Sequence, residues 1–484
     1  MLLKDLLQDI KYTLVGAMGE EMIKSVVTDA REICDGCLYI ALKGETHLQN
    51  IRGARATVIL QTPPEKKLPY PYVLCEDVRA AMAYIYSRFY EIDYNSLSFI
   101  GITGTNGKSS TLTLTAAILR ANGYAVGCIK TGEISINGRV ITDDEYSMTT
   151  PDPRMLYKAI RQMQNEGCDH VIMEVSSHSL ALSKVAPIFF DYAIFTGLSP
   201  EHLDFHKSME EYYQAKKKLF SACRCAVINI DDDYGARLYS EINVKKISFG
   251  VTGDADAYID DYENLGFEGH TFKFRLRKKQ IDMRVPLVGC YNVYNALASA
   301  VVGTDMEIPE YYVRDAIRNT KCIVGRFQIL SSMPTVIVDY AHTARAFEAF
   351  LHELSKLKNG RSLTVIFGCG GERDKSKRSV MGSLAELYAD RIILTSDNSR
   401  SENPMDIIRD ILGGISAKPV CIDTNRAHTV EKSILSAEDD EIIAIIGKGA
   451  EKYSIDASGY KKYDEIALIE KALLKRSAKN ENKA

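Results

Sequence analysis

Residues 98–113, SFIGITGTNGKSSTLT, combine the side chains and spacing of a phosphate cradle. Apolar Phe99, Ile100 and Ile102 read as the end of a buried strand. Gly101, Gly104 and Gly107 leave a turn without Cβ atoms, and Lys108, Ser109 and Ser110 open a helix of apolar periodicity. Along Gly104, Thr105, Asn106, Gly107, Lys108, Ser109 and Ser110, exposed N–H groups and the positive end of the helix dipole attract anionic oxygens. Lys108 can reach terminal phosphates and the Ser109 hydroxyl can ligate Mg²⁺. Ile102 stands where the usual P-loop has its first glycine. A glycine-rich turn alone is often only a turn; the strand before it and the helix after it are what point to a nucleotide.

Further along, EVSSH sets Glu174 at the end of an apolar strand, and LSPEHLDFH offers His202, Asp204 and His206 just past another. A carboxylate is costly to bury without a partner, so Ser109, Glu174 and one histidine form a mixed oxygen and nitrogen set suited to the Mg²⁺ of a bound nucleotide. Lys216, Lys217 and Lys218 in AKKKLF read, on the residues alone, as a solvated helix face. FGCGGERDKSKR and SDNSRSENP each pack cations after a strand. Arg373 and Arg400 there suit a carboxylate-bearing substrate, because guanidinium forks pair bidentately with carboxylates.

The elements that must hold these loops alternate. CLYIAL, ATVIL and YVLC read as strands with a helix over 78–91, giving a small α/β domain over 1–95. From 96 to 325, HVIMEVS, YAIFTGLS, CAVINI and KKISFG join the phosphate-loop strand as buried strands between helices. That alternation predicts a doubly wound parallel sheet with its ligand at the strands' carboxyl ends. FKFRLRKKQIDMRVPL reads as a hairpin before a helix starting near Asn292. A third α/β domain, 326–484, follows with TVIVDY, SLTVIFG, RIILTS and EIIAIIG, then the amphipathic helix EIALIEKALLKR and a tail, SAKNENKA, expected to be disordered.

The 484 residues suit about three domains with real cores. A net charge of −4 gives no footprint for nucleic acid. Lys4, Asp5 and Asp9 interrupt the N-terminal segment, and no apolar run approaches the ~18 residues needed to span a bilayer, so a cytoplasmic protein is expected. Eleven scattered cysteines suit thiols in a reducing compartment. Cys34 and Cys37 have the spacing of a metal or redox pair, but no second pair stands at zinc-site spacing. Cys223 and Cys225 read as core residues.

TGTNGKSS, TTPDP, MEVSSHSL, HLDFHKSMEEYYQAKKKLF, GCYNVYNALA, GRF, VDYAHT, FGCGGERDKSKR, DNSRSENP and GKGAEKY resemble, in order and spacing, the Mur ligase family. The likeness runs from about residue 96 to 455 and is nearest to members that extend the peptidoglycan stem peptide at its third residue. It implies a monomeric ATP-dependent amide ligase that adds meso-diaminopimelate to UDP-N-acetylmuramoyl-L-alanyl-D-glutamate through an acyl phosphate. On matching positions it implies that Lys108 and Ser109 hold phosphates and a first Mg²⁺, with Glu174 and His202 completing that metal's protein ligands. Asn292, Asn295, Arg326 and Asp339 would line the rest of the ATP site. Lys216 would be carbamylated and hold a second Mg²⁺. Thr149, Thr150, Ser176 and Lys184 would meet the muramoyl dipeptide, and Arg373, Asp397, Asn398, Arg400, Gly447 and Glu451 the incoming amino acid.

The chain departs from the family pattern at several points. Asp29-Ala30-Arg31 replaces a DSR motif, KGETHLQNIRGA is shortened, Lys184 replaces an arginine, and Ser399, Ala450 and Val324 replace a proline, a histidine and a proline. The shortened uridine loop supports a second reading, a Mur-type ligase acting on a different carboxylate acceptor. A third, a non-catalytic nucleotide-binding scaffold, has no use for a second metal and so fits Lys108, Glu174, His202 and Lys216 poorly.

Overall fold

The structure is a computed structural model that describes residues 1–16, 19–42, 57–65, 68, 70–142 and 148–481, without the side chains of 480 and 481. The KGETHLQNIRGA segment lies outside the described residues.

The first sheet holds β1 (Tyr12–Val15), β2 (Ser25–Val27), β3 (Cys37–Ile40), β4 (Thr57–Leu60) and β5 (Tyr72–Cys75) in the order β1-β5-β4-β3-β2. Only β1 runs antiparallel. Helix Val78–Phe89 packs its apolar face on this sheet and is capped by Asp77, whose side chain accepts from the N–H groups of Arg79 and Ala80.

The central sheet contains β6 (Ser98–Thr103), β7 (Val126–Lys130), β8 (Glu133–Ile136), β9 (Arg139–Val140), β10 (His170–Glu174), β11 (Phe190–Phe195), β12 (Cys223–Asn229), β13 (Lys245–Gly250), β14 (Ala257–Asn264), β15 (His270–Leu276) and β16 (Lys279–Val285). Their order is β16-β15-β14-β13-β12-β11-β6-β10-β7-β8-β9. From β7 to β14 the strands are parallel, and β6 sits where the winding reverses. This is the switch point at which open α/β sheets bind ligands. Both edges add antiparallel strands to the expected parallel sheet. β8 and β9 fold back antiparallel, and the expected hairpin, β15 and β16, pairs antiparallel onto β14. The alternating burial of β15, seven residues long, shows why: a one-sided sheet can turn back without a covering helix. Helices Lys108–Ala121 and Tyr291–Asp305 cover one central face, with Leu112, Leu119, Leu297 and Val301 in one core with Ile100 and Ile194.

The third sheet holds β17 (Gln328–Ser332), β18 (Thr335–Asp339), β19 (Leu363–Phe367), β20 (Arg391–Leu394), β21 (Val420–Ile422) and β22 (Ile442–Ile446), ordered β17-β18-β22-β19-β20-β21. A separate hairpin, β23 (Tyr453–Asp456) and β24 (Gly459–Lys462), follows it. The last helix spans Glu465–Glu481 and so takes in residues 477–481 of the expected disordered tail. Its start is fixed by Glu465, buried against the Arg426 guanidinium. Cys34 is exposed and Cys37 begins a strand; Cys223 and Cys225 are buried in β12. Among the described residues no helix is long and apolar enough to cross a membrane.

Candidate active site

β6 delivers the glycine-rich turn to the carboxyl edge of the central sheet. Gly104 has φ +148° and Gly107 φ +86°, and neither site has room for a side chain. A Cβ on Gly104 would lie 1.9 Å from Thr196 Oγ1, and one on Gly107 2.6 Å from Asn295 Oδ1. The turn is tied to the end of β11: Thr105 N donates to Gly197 O at 2.9 Å, and Thr196 Oγ1 donates to Asn106 O at 2.6 Å. Thr105 Oγ1 accepts from Ser199 N at 2.9 Å. Lys108 curls over this turn, with Nζ donating to Gly104 O at 3.0 Å and Thr105 O at 2.7 Å. Burial lowers its pKa, opposed by the carboxylates of Glu174 and Glu201. Ser110, one residue into the helix from Ser109, is buried.

Glu174 ends β10 with only 1% of its surface exposed. Ser109 Oγ donates to its Oε1 at 2.6 Å and Thr131 Oγ1 to its Oε2 at 3.1 Å; Thr131 Oγ1 also lies 2.9 Å from Thr149 Oγ1. Thr150 Oγ1 donates to Glu174 O at 2.9 Å and accepts from Ser176 N at 3.0 Å. Ser176 caps helix Ser177–Ala181. Lys184 pairs with Asp152 at 2.6 Å on the same side.

Lys216 overturns the reading of AKKKLF as a solvated face: it is 2% exposed, whereas Lys218 is exposed. The helix Met209–Lys217 turns Tyr212 and Lys216, four residues apart, to the same inward side. Lys216 Nζ lies 4.7 Å from the Tyr212 ring centroid and donates to Gly104 O at 3.0 Å. Burial, and then the charge of Lys108, hold its pKa well below the usual lysine value. His202 adopts φ 56° and packs edge-on against His178, ring centroids 4.8 Å apart. Burial drops its pKa to about 4, so the imidazole is neutral.

The third domain faces this cluster. Arg326 Nη2 approaches Ser109 Oγ at 3.4 Å, and its guanidinium lies 4.4 Å from the Tyr340 ring centroid. Asp339 accepts from the N–H groups of Phe327 and Ala341, each at 2.7 Å, and burial raises its pKa. Asn292 and Asn295 are linked at 3.0 Å in a buried helix face beside Gly107. Beyond Tyr340, whose hydroxyl donates to Glu451 Oε1 at 3.2 Å, lies a second polar cluster. Asn398 Nδ2 donates to Glu451 Oε2 at 2.9 Å, and Arg400 Nη1 donates to Gly371 O at 2.6 Å. Asp397 lies under Gly447, where a Cβ would meet its Oδ2 at 2.9 Å. Arg373 points out of this cluster toward Asp204, 4.0 Å away in the central domain.

Sequence reasoning missed several participants. Glu201 Oε1 and His342 Nε2 pair at 2.8 Å across the domain boundary. Burial alone would raise the Glu201 carboxyl, but the His342 hydrogen bond and charge hold it well below the carboxylate range. Both sit inside recognised motifs, LSPEHLDFH and VDYAHT, yet nothing local in either marks them as partners. Thr131 and Lys448 were missed for the same reason. Arg378, fully buried, pairs with Glu402 and Asp410 under the 369–373 loop. Its motif, FGCGGERDKSKR, drew attention to Arg373 instead.

Residues 102–303 match the Mur ligase middle domain and 325–449 the Mur ligase glutamate ligase domain. A UDP-N-acetylmuramoyl-L-alanyl-D-glutamate–2,6-diaminopimelate ligase from Clostridium acetobutylicum is 36% identical over 97% of this chain and 98% of its own. One of the same name from Caldanaerobacter subterraneus subsp. tengcongensis is 38% identical over 98% and 99%. A solved diaminopimelate ligase structure superposes with a TM-score of 0.68 at 25% identity, covering 99% of both chains. With both domain matches in order and full-length likeness above 30%, the chain belongs to the Mur ligase family.

Proposed function

We propose that the chain is an ATP-dependent ligase that joins meso-diaminopimelate to UDP-N-acetylmuramoyl-L-alanyl-D-glutamate in peptidoglycan synthesis. One observation carries the reading: the phosphate turn and the Arg400 cluster face each other through a continuous contact chain, Ser109 to Arg326 to Tyr340 to Glu451 to Asn398. A nucleotide on the turn and an amino acid in the cluster would therefore lie on two sides of one cleft. Full-length likeness to ligases named for these substrates supports the same assignment.

In this reading the γ-phosphate of ATP lies against the N–H groups of 104–110, and Lys108 exchanges its two carbonyl partners for phosphate oxygens. Asn292, Asn295, Arg326 and Asp339 bound the nucleotide. Thr149, Thr150, Ser176 and Lys184 hold the dipeptide so that its D-glutamyl carboxylate attacks the γ-phosphorus, releasing ADP and leaving an acyl phosphate. The Arg400 guanidinium takes the distal carboxylate of diaminopimelate and orients the amine, which attacks the acyl carbon and expels phosphate.

The donor set fits Mg²⁺. Mg²⁺ binds through one or two carboxylates and keeps water and phosphate for its other positions, and Glu174, with the Ser109 hydroxyl on its Oε1, offers such a carboxylate. Ser109, Glu174 and neutral His202 would hold one ion. Lys216 is buried against the Gly104 turn with its pKa lowered, which favours loss of its proton; its amine would add CO₂, losing a proton, to become a carbamate for a second. Bound there, the ions neutralise the charge that builds as two anions are brought together.

The test is phosphate release by the purified chain with ATP, Mg²⁺, the UDP-dipeptide and diaminopimelate. Release that needs all four supports the reading; release indifferent to the UDP-dipeptide contradicts it. A different acceptor is the second reading. It is favoured by Arg31, which folds back onto Asp29 at 2.6 Å at the position of the altered uridine motif.

A further inference from the structure

Lys448 is 1% exposed and lies at the centre of the third domain's polar cluster, yet no substrate group is assigned to it. Its Nζ donates to Asn398 Oδ1 at 2.8 Å and to Tyr453 O at 3.1 Å, and stands 3.4 Å from Asp397 Oδ1 and 3.6 Å from Glu451 Oε2. The rings of Tyr453 and Tyr463 flank it, with centroids 5.9 and 5.5 Å away. Two carboxylates this close would repel, and this ammonium stands between them.

The geometry also sets the amide. Lys448 Nζ and Ile455 N, at 2.8 and 3.0 Å, both point at one terminal atom of Asn398. An ammonium and a peptide N–H can only donate, so that atom is the oxygen. The amide nitrogen is thereby turned to Glu451 Oε2, where one of its two hydrogens is used and the other is left for a ligand. Glu451 in turn already accepts from Tyr340, Tyr453 and Asn398.

We propose that Lys448 is the positioning residue of the amino-acid pocket: it fixes which end of Asn398 faces the ligand, so that the pocket binds without reorganising. The proposal rests on the reading of the 397–400 loop as the amino-acid site. Lys448 touches no substrate itself and acts through Asn398. An arginine would not serve as well, because a planar fork cannot place a single donor between Asn398 Oδ1 and Tyr453 O.

The experiment is a double-mutant cycle in steady-state kinetics on the full chain. Lys448→Met should raise KM for diaminopimelate at least tenfold while KM for ATP stays within twofold. Combined with Asn398→Ala, it should cost no more than Asn398→Ala alone, since the two act as a unit. A merely structural role would instead change both KM values together. If Lys448→Met does not fold, Lys448→Arg is used in the same cycle, with a severalfold rise in the amino-acid KM expected. An active wild type whose amino-acid KM is unmoved by Lys448→Met or Lys448→Arg, or losses that multiply in the double variant, would overturn the proposal alone. A wild type that turns over no amino acid would overturn the reading of the site and this inference with it.

Discussion

The guanidinium of Arg326 lies over the ring of Tyr340, 4.4 Å from its centroid, and the two residues join the halves of the site. Arg326 reaches back to Ser109 at the start of the phosphate-turn helix, and Tyr340 reaches forward to Glu451. Tyr340→Phe removes only the forward contact. It should raise KM for the amino acid by roughly fivefold, the equivalent of about 1 kcal/mol for one hydrogen bond, with KM for ATP unchanged. Tyr340→Ala also removes the ring under Arg326 and should weaken ATP use as well. Kinetics of both variants check this; equal behaviour of the two would detach Arg326 from the nucleotide.

Lys216 has no carboxylate within hydrogen-bonding distance among its described contacts and donates to the Gly104 carbonyl. Lys216→Ala should reduce turnover by at least a hundredfold, and added bicarbonate should not restore it. In wild-type protein equilibrated with ¹³CO₂, a carbamate resonance should appear and be absent from the variant. Near-normal turnover in Lys216→Ala would remove the carbamate from the account.

Arg400 is held in place by two backbone carbonyls: its N–H donates to Ile455 O at 3.1 Å, and Nη1 donates to Gly371 O. Losing one charge-assisted carboxylate pair costs about 1.5–3 kcal/mol. Arg400→Ala should therefore raise KM for diaminopimelate roughly 10- to 150-fold while ATP binding, followed by calorimetry, stays near wild type. Arg400→Lys should rescue only part, because an ammonium lacks the fork. Equal loss of ATP and amino-acid binding would point to a structural role.

Stability should fall in mild acid for a specific reason. Burial holds His202 and His206 at about 4 in the fold, against 6.5 for the free side chain. Between those values the unfolded chain binds more protons, so acid favours unfolding. The contribution is complete above about pH 6.5 and is lost as pH falls toward 4. Glu201 acts lower down, since its carboxyl is held below the ordinary carboxylate value and its contribution is lost only beneath that. Urea midpoints measured from pH 7 to 5 should decline, and the decline should be shallower in His206→Gln. An identical slope in that variant would exclude His206 as a source.

Much of this was legible in the sequence because it is written locally. The phosphate turn needs backbone that only glycine adopts, so Gly104 and Gly107 announce it, and the buried runs of β6, β10 and β11 announce a covered sheet. What was hidden depends on distant partners. AKKKLF looks solvated because three lysines in a row usually are; only packing against Tyr212 and the Gly104 turn buries the first of them. Glu201 and His342 are 141 residues apart and meet only when two domains do. Lys448 is one residue in GKGAEKY until Asn398 and Tyr453 fold around it. The antiparallel strands β8 and β9 and the ordered residues 477–481 escaped because short amphipathic stretches at an edge or terminus take their state from what they pack against.

The most direct measurement is the mass of the product. Purified chain is incubated with ATP, Mg²⁺ and UDP-N-acetylmuramoyl-L-alanyl-D-glutamate, supplied separately with meso-diaminopimelate or L-lysine. The account predicts a product heavier by one diaminopimelyl residue, formed with stoichiometric ADP and phosphate, and little or none with lysine. Folded protein that binds ATP yet yields no product with diaminopimelate would contradict it.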